Sequence, residues 1–232
     1  MPPRANTDLH GNAPDSSPVA LLIIDAINDL EFEGGDRMRP RAIRMARCIA
    51  RLKTRASALR IPTIYVNDNF GRWRSDWRTV VTQCVSEKSR GHRVARRLRP
   101  TGDDYFVLKP KHSGFFSTPL DILLRYLGVD TVILAGFAAD ICILLTANDA
   151  YMRDYRVVVP RDCVASNTRA KTAFALREIR EVLKGATPRS ASVRFGARPR
   201  KPGRGGGPPR AAGRVVGAAP AVARSGRMRP PV

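Results

Sequence analysis

No stretch of this 232-residue chain approaches the roughly 20 consecutive apolar residues that a membrane-spanning helix needs, so a membrane protein is not expected. Histidine is scarce: His10, His92 and His112 are scattered along the chain, and no acidic or sulfur ligand sits beside them at metal-binding spacing. The four cysteines, Cys48, Cys84, Cys142 and Cys163, form no CxxC pair. Neither a metal nor another cofactor is therefore expected. The first residues lack the apolar core of a secretory signal, and unpaired thiols suit a reducing compartment, so the expected location is the cytoplasm. No internal repeat is visible.

Acidic residues are missing altogether from position 187 onward, where glycine, proline, alanine, serine and arginine dominate and Phe195 is the lone aromatic residue. Eleven of the net +21 charges fall there, leaving +10 for the rest of the chain. Such a composition cannot bury enough apolar surface to fold, so 187–232 is expected to be a basic, disordered tail. It reads first as an incidental extension and second as an electrostatic arm, through which alone nucleic acid would be a partner. Residues 1–17, rich in proline, asparagine and serine, are expected to be a loose arm.

What remains, 18–186, alternates two patterns. Residues 19–24, 63–66, 105–108, 131–135 and 156–159 are short, apolar and rich in β-branched side chains, as strands buried on both faces are. Between them the apolar residues recur at helical spacing, as in Ile43, Ala46 and Ala50, and again in Leu120, Leu123, Leu124 and Leu127. Thr118 and Pro119 offer a helix start with Asp121 completing a capping box, and Gly128 a stop. Asp140 is placed to cap a helix over 141–151, and Asn167 one over 167–183. Alternating strands and helices make a parallel sheet in a single α/β domain, a doubly wound three-layer sandwich.

In such a sheet ligands bind beyond the carboxyl ends of the strands. Asp25, Lys109 and Cys142 each follow an apolar run at that end, with Gly136 opening the turn before the cysteine. A thiol in the first turn of a helix and near an ammonium is expected to have a lowered pKa, and a thiolate is a nucleophile. A carboxylate ending a buried strand needs a partner and can carry a proton to and from the thiol. Cys163, also at the sheet edge, has no such company and reads as structural.

Three segments carry a resemblance. Leu21-Leu22-Ile23-Ile24-Asp25, Lys109-Pro110-Lys111-His112-Ser113-Gly114-Phe115-Phe116-Ser117-Thr118 and Ala135-Gly136-Phe137-Ala138-Ala139-Asp140-Ile141-Cys142 resemble, in that order, the motifs of the isochorismatase-like cysteine hydrolases. The resemblance covers 18 to about 184. It implies a three-layer α/β sandwich and an Asp25–Lys109–Cys142 triad that hydrolyses small amides through a thioester. It further implies a cis peptide between Phe137 and Ala138, and an oxyanion hole made by the backbone N–H groups of Ala138 and Cys142. The cysteine points to amide, carbamoyl or ureido cleavage rather than to the vinyl ether of isochorismatases proper. Asp68 lacks the neighbouring histidines of metal-binding nicotinamidases, so nicotinamide is not the favoured substrate.

Trp73, in the polar and aromatic loop after the second strand, together with Phe115, Phe137 and His112, is expected to shape the pocket for a small-molecule substrate. Homo-oligomerisation is implied by the resemblance, as is a short sixth strand after the last helix, for which 191–195 is the candidate. Ala139 and Asp140, where many relatives have Thr and Asn, leave room for a fold kept as a binding scaffold.

Overall fold

The computed structural model describes residues 13, 15–70 and 76–196. Six strands are present: β1 (Val19–Ile24), β2 (Thr63–Asp68), β3 (Tyr105–Lys109), β4 (Thr131–Phe137), β5 (Arg156–Val158) and β6 (Val164–Ala165). They form one parallel sheet in the order β3-β2-β1-β4-β5, with β6 pairing the far end of β4. The helices are α1 (Gly35–Ala58), α2 (Trp77–Val85), α3 (His92–Arg97), α4 (Leu120–Tyr126), α5 (Leu144–Met152) and α6 (Arg169–Glu181).

The two-residue period of a strand explains the three layers. In β1, Val19, Leu21 and Ile23 pack toward α1, α2 and α3, whereas Ala20, Leu22 and Ile24 pack toward α4, α5 and α6. Every β1 residue is buried, as a central strand covered on both faces must be. Leu120, Leu124 and Leu127 insert into the second layer, as their spacing predicts. The parallel, helix-covered sheet expected from the sequence is therefore present, and its register brings the carboxyl ends of β1, β2, β3 and β4 to one edge.

Several local readings are corrected. No capping box forms at α4: the Asp121 carboxylate is taken by Arg125, 2.7 Å away, and by the Tyr155 hydroxyl, while Thr118 Oγ1 accepts from Leu120 N–H. Asp140 does not cap α5 either. Residues Ala139–Ile143 form one wide π turn ahead of that helix, and the Asp140 side chain reaches Lys171, 3.5 Å away. Thr168, rather than Asn167, caps α6, its hydroxyl accepting from Lys171 N–H.

Position also overrides composition at both ends. Ser17 is buried, its N–H donating to Leu127 O, and Asp15 accepts from the Tyr105 hydroxyl, so the packed body begins before 18. After α6 there is a short 3-10 turn, Ser190–Ser192, where a strand was expected at 191–195. The sixth strand is instead β6, ahead of α6. Asp162 takes both the N–H and the hydroxyl of Ser190, each at 2.7 Å, and Val193 and Phe195 are buried against the first layer. The tail reading from 187 is thus wrong as far as 196; the rest of it, and Trp73, lie outside the described residues.

Candidate active site

Asp25, Lys109 and Cys142, drawn from three strand ends, meet in one place. Lys109 Nζ lies 2.9 Å from Asp25 Oδ2 and 3.7 Å from Cys142 Sγ, and the thiol hydrogen-bonds to the Asp25 carboxylate. Lys109 is fully buried and Asp25 nearly so. Charges so placed are tolerated only when paired and hydrogen-bonded. Here they are: Lys109 also donates to Lys111 O at 3.2 Å, and Asp25 Oδ1 accepts from Asp68 N–H at 2.8 Å. The Asp68 carboxylate, 3.7 Å from the ammonium, is a third and more exposed acid.

The backbone at these strand ends is bent to aim the side chains. Asp25 has φ 51, a left-handed conformation that costs a non-glycine residue on the order of 1 kcal/mol and clusters at functional sites. Gly136, at φ 124, must be glycine: a Cβ there would lie 1.9 Å from Ile24 O. The next peptide, Phe137–Ala138, is cis, as the resemblance implies. Ala138 N–H is directed at the Cys142 sulfur, and Cys142 sits inside the π turn that follows.

Electrostatics corrects one expectation. Burial pushes the Cys142 thiol up to about 12, and the Asp25 charge adds to this, outweighing the downward pull of Lys109 and of Ala138 N–H. The turn and the ammonium therefore do not give a resting thiolate. Burial likewise raises Asp25 despite Lys109 beside it. For Lys109, burial alone would lower the pKa, but Asp25, Cys142 and Asp68 together hold it above the ordinary lysine value. The arrangement at rest is a protonated thiol donating to a carboxylate that is itself clamped by an ammonium.

The predicted pocket residues divide. Phe115 is buried and stacks on Tyr155, with Arg153 over its other face, so its ring belongs to the core. Phe137 is buried on the first-layer side. The exposed ring is the adjacent Phe116, and His112 is exposed at the same loop. Cys163 is fully buried, and its carbonyl accepts from Gly136 N–H at 2.8 Å, a structural role as expected.

Three supporting side chains went unread in the sequence. Asn67, fully buried, donates to Ile27 O and accepts from Ile27 N–H, fixing the loop after Asp25. Thr146 Oγ1 donates to Cys142 O at 2.6 Å and accepts from Gly114 N–H at 3.0 Å, tying the cysteine turn to the loop after Lys109. Ser113 donates to Asp149 across the same seam. Thr146 and Asp149 follow Cys142 at helical spacing, which was the available signal; a lone Asn67 gave none.

A parallel α/β sandwich with an acid, an ammonium and a thiol at its strand ends is the architecture of the cysteine hydrolases that the motifs resemble. The chain belongs to the isochorismatase family: the family model described as Isochorismatase domain matches residues 19–192. An uncharacterized isochorismatase family protein of Bacillus subtilis, YaaI, is 41% identical over 164 residues, which is 71% of this chain and 90% of that protein. The ureidoacrylate amidohydrolase RutB of Methylobacterium radiotolerans is 36% identical over 81 residues, covering 35% of this chain and 31% of that one. Among solved structures, N-carbamoylsarcosine amidase of Thermoplasma acidophilum superposes with a TM-score of 0.58 at 27% identity, over 75% of this chain and 98% of that chain. The protein is thus an isochorismatase-family hydrolase with amidohydrolases among its neighbours. No described helix is long and apolar enough to cross a membrane. Among the described residues no group of three His, Cys, Asp or Glu is clustered to hold a metal.

Proposed function

We propose that the chain hydrolyses an amide, carbamoyl or ureido C–N bond of a small molecule through a thioester on Cys142. The observation that carries this reading is the contact of Lys109 with both Asp25 and Cys142 at one sheet edge. Sγ attacks the carbonyl carbon as its proton passes to Asp25, so the base is the group the thiol already faces. Lys109 stabilises the negative charge as it moves from carboxylate to sulfur. The carbonyl oxygen becomes an oxyanion held by the N–H groups of Ala138 and Cys142. Asp25 then gives its proton to the departing nitrogen as the C–N bond breaks. Water attacks the thioester, Asp25 takes the proton of that water, and the sulfur leaves as the acid product forms. Every group required is the chain's own, in keeping with the expected lack of a cofactor, and a reducing cytoplasm would keep the thiol available.

The names of RutB and of N-carbamoylsarcosine amidase favour ureido and carbamoyl compounds within this class. The test is ammonia release from a panel of ureido acids, carbamoyl amino acids and primary amides, with acid-quenched mass spectrometry for the acyl-enzyme. Cys142→Ala should fold normally and lose turnover by at least about a thousandfold. Near-normal turnover in that variant would exclude the covalent route.

A further inference from the structure

Large apolar side chains are left on the surface very unevenly. Of the eleven that are exposed among the described residues, only Phe32 and Leu59 lie outside the stretch that builds the α4, α5 and α6 layer. The other nine sit on that layer or the loop leading into it. They include Ile122 on α4, Leu145 and Met152 seven residues apart on α5, and Phe174 on α6. The inner faces of these helices are already filled by Leu124, Ala147 and Ile179, so the exposed set is a second, outward-facing apolar surface. Helix α5 is bridged on one side to the loop preceding α4 by Thr146 and Asp149, and its opening π turn on the other side to α6 through Asp140 and Lys171.

Size and charge identify what covers this surface. Nine half-exposed side chains of this bulk present on the order of 800 Å², above the ~300–600 Å² of a monomer's largest patch and close to one partner's share of a standard interface. Helices α1, α2 and α3 carry twelve Lys and Arg against one Asp, so that side repels another copy of the same basic chain. Helices α4, α5, α6 and the π turn carry five basic and five acidic residues, a balanced rim around the apolar side chains. A second copy approaching this chain meets repulsion on one layer and none on the other.

We propose that the outer face of α4, α5 and α6 is an interface between two copies of this chain, related by a two-fold axis. The interface reaches the active site: Ile141 and Leu145 flank the turn that holds Cys142, and Phe116 leaves the loop that supplies Lys111 O to Lys109. The partner copy thus borders the mouth of the crevice. The assignment is independent of which bond the enzyme cleaves.

The full chain should sediment at micromolar concentration with twice its 25.6 kDa, or an even multiple of it. Ile122→Asp combined with Met152→Glu replaces exposed side chains only, so the circular dichroism spectrum should persist while self-association weakens about a hundredfold or more. Arg44→Glu, on the basic layer, should leave the mass unchanged. A wild-type chain that is monomeric at about 50 μM, or an assembly that survives the paired substitution and dissociates with Arg44→Glu, would overturn the proposal.

Discussion

Replacing Lys109 by Met isolates the electrostatics on which the site depends. The side chain is fully buried, its ammonium is 2.9 Å from Asp25, and methionine fills a similar volume, so the change removes charge with little loss of packing. Removing one member of a buried pair typically costs about 3–5 kcal/mol, because the other charge is left without compensation. Asp68 also loses a contact at 3.7 Å, but it is a third exposed and water screens it. The penalty then depends on pH. Without Lys109, nothing offsets the burial that already raises Asp25, so its folded pKa rises further above the unfolded value. A group with a raised folded pKa contributes stability that is complete below the unfolded pKa and is lost as pH rises through the folded pKa. The deficit of Lys109→Met against wild type should therefore be largest near neutrality and shrink on acidification, by up to about 1.4 kcal/mol per pH unit. Adding Asp25→Asn should restore most of the stability, to within about 1 kcal/mol of wild type. Urea unfolding of the four proteins of this cycle, at about pH 7.5 and about pH 5, measures each of these terms. A Lys109→Met protein as stable as wild type, or one whose deficit is the same at both pH values, would refute the argument that the pair is buried and mutually dependent.

Gly136→Ala should fail to accumulate in soluble form or lose at least about 4 kcal/mol, because the new Cβ meets backbone, and circular dichroism of whatever is recovered decides it. Asp162→Ala should cost about 2–3 kcal/mol by freeing both polar groups of Ser190, with faster hydrogen exchange confined at first to 187–196. In the pH profile of kcat/KM, activity should be lost on acidification at a pH above the ordinary aspartate value, since burial raises Asp25 and a protonated carboxyl cannot accept the thiol proton. An acid limb at or below that ordinary value would contradict the assignment of Asp25 as base.

The parts of the fold that follow from periodicity were legible. A β1 in which every residue is apolar could only be central, and the strand ends it implied put Asp25, Lys109 and Cys142 together before any coordinates did. What failed to show were features that depend on competition between partners. Asp121 has the spacing of a capping box, yet Arg125 and Tyr155 offer its carboxylate better partners than a backbone N–H. Phe115 and Phe116 are adjacent and chemically identical, and only the position of Tyr155 decides which one is buried. The two-residue β6 is too short for any pattern; it exists because Gly136 and Phe137 extend beyond β5 and need a neighbour. Val193 and Phe195 were discounted for the company they keep, since average composition cannot register two apolar residues held by the hydrogen bonds of Asp162.

The raised thiol bears on how the nucleophile is made. With Cys142 near 12, ionising it into the empty site at neutral pH would cost on the order of 7 kcal/mol, so a resting thiolate is a negligible species. Attack must then be coupled to proton transfer, which is what the contact with Asp25 permits, and the sulfur becomes strongly nucleophilic only with a carbonyl carbon in reach. Such a thiol is protected against peroxides and adventitious electrophiles when no substrate is bound. Iodoacetamide should accordingly label Cys142 slowly near neutrality, at a rate that keeps rising as the pH is taken through the range of an ordinary thiol, while buried Cys84 and Cys163 stay unlabelled in the folded protein. A labelling rate already at its plateau at neutral pH, or thiolate ultraviolet absorbance there that disappears in Cys142→Ala, would show that the sulfur is ionised at rest and that Asp25 is not needed to remove its proton.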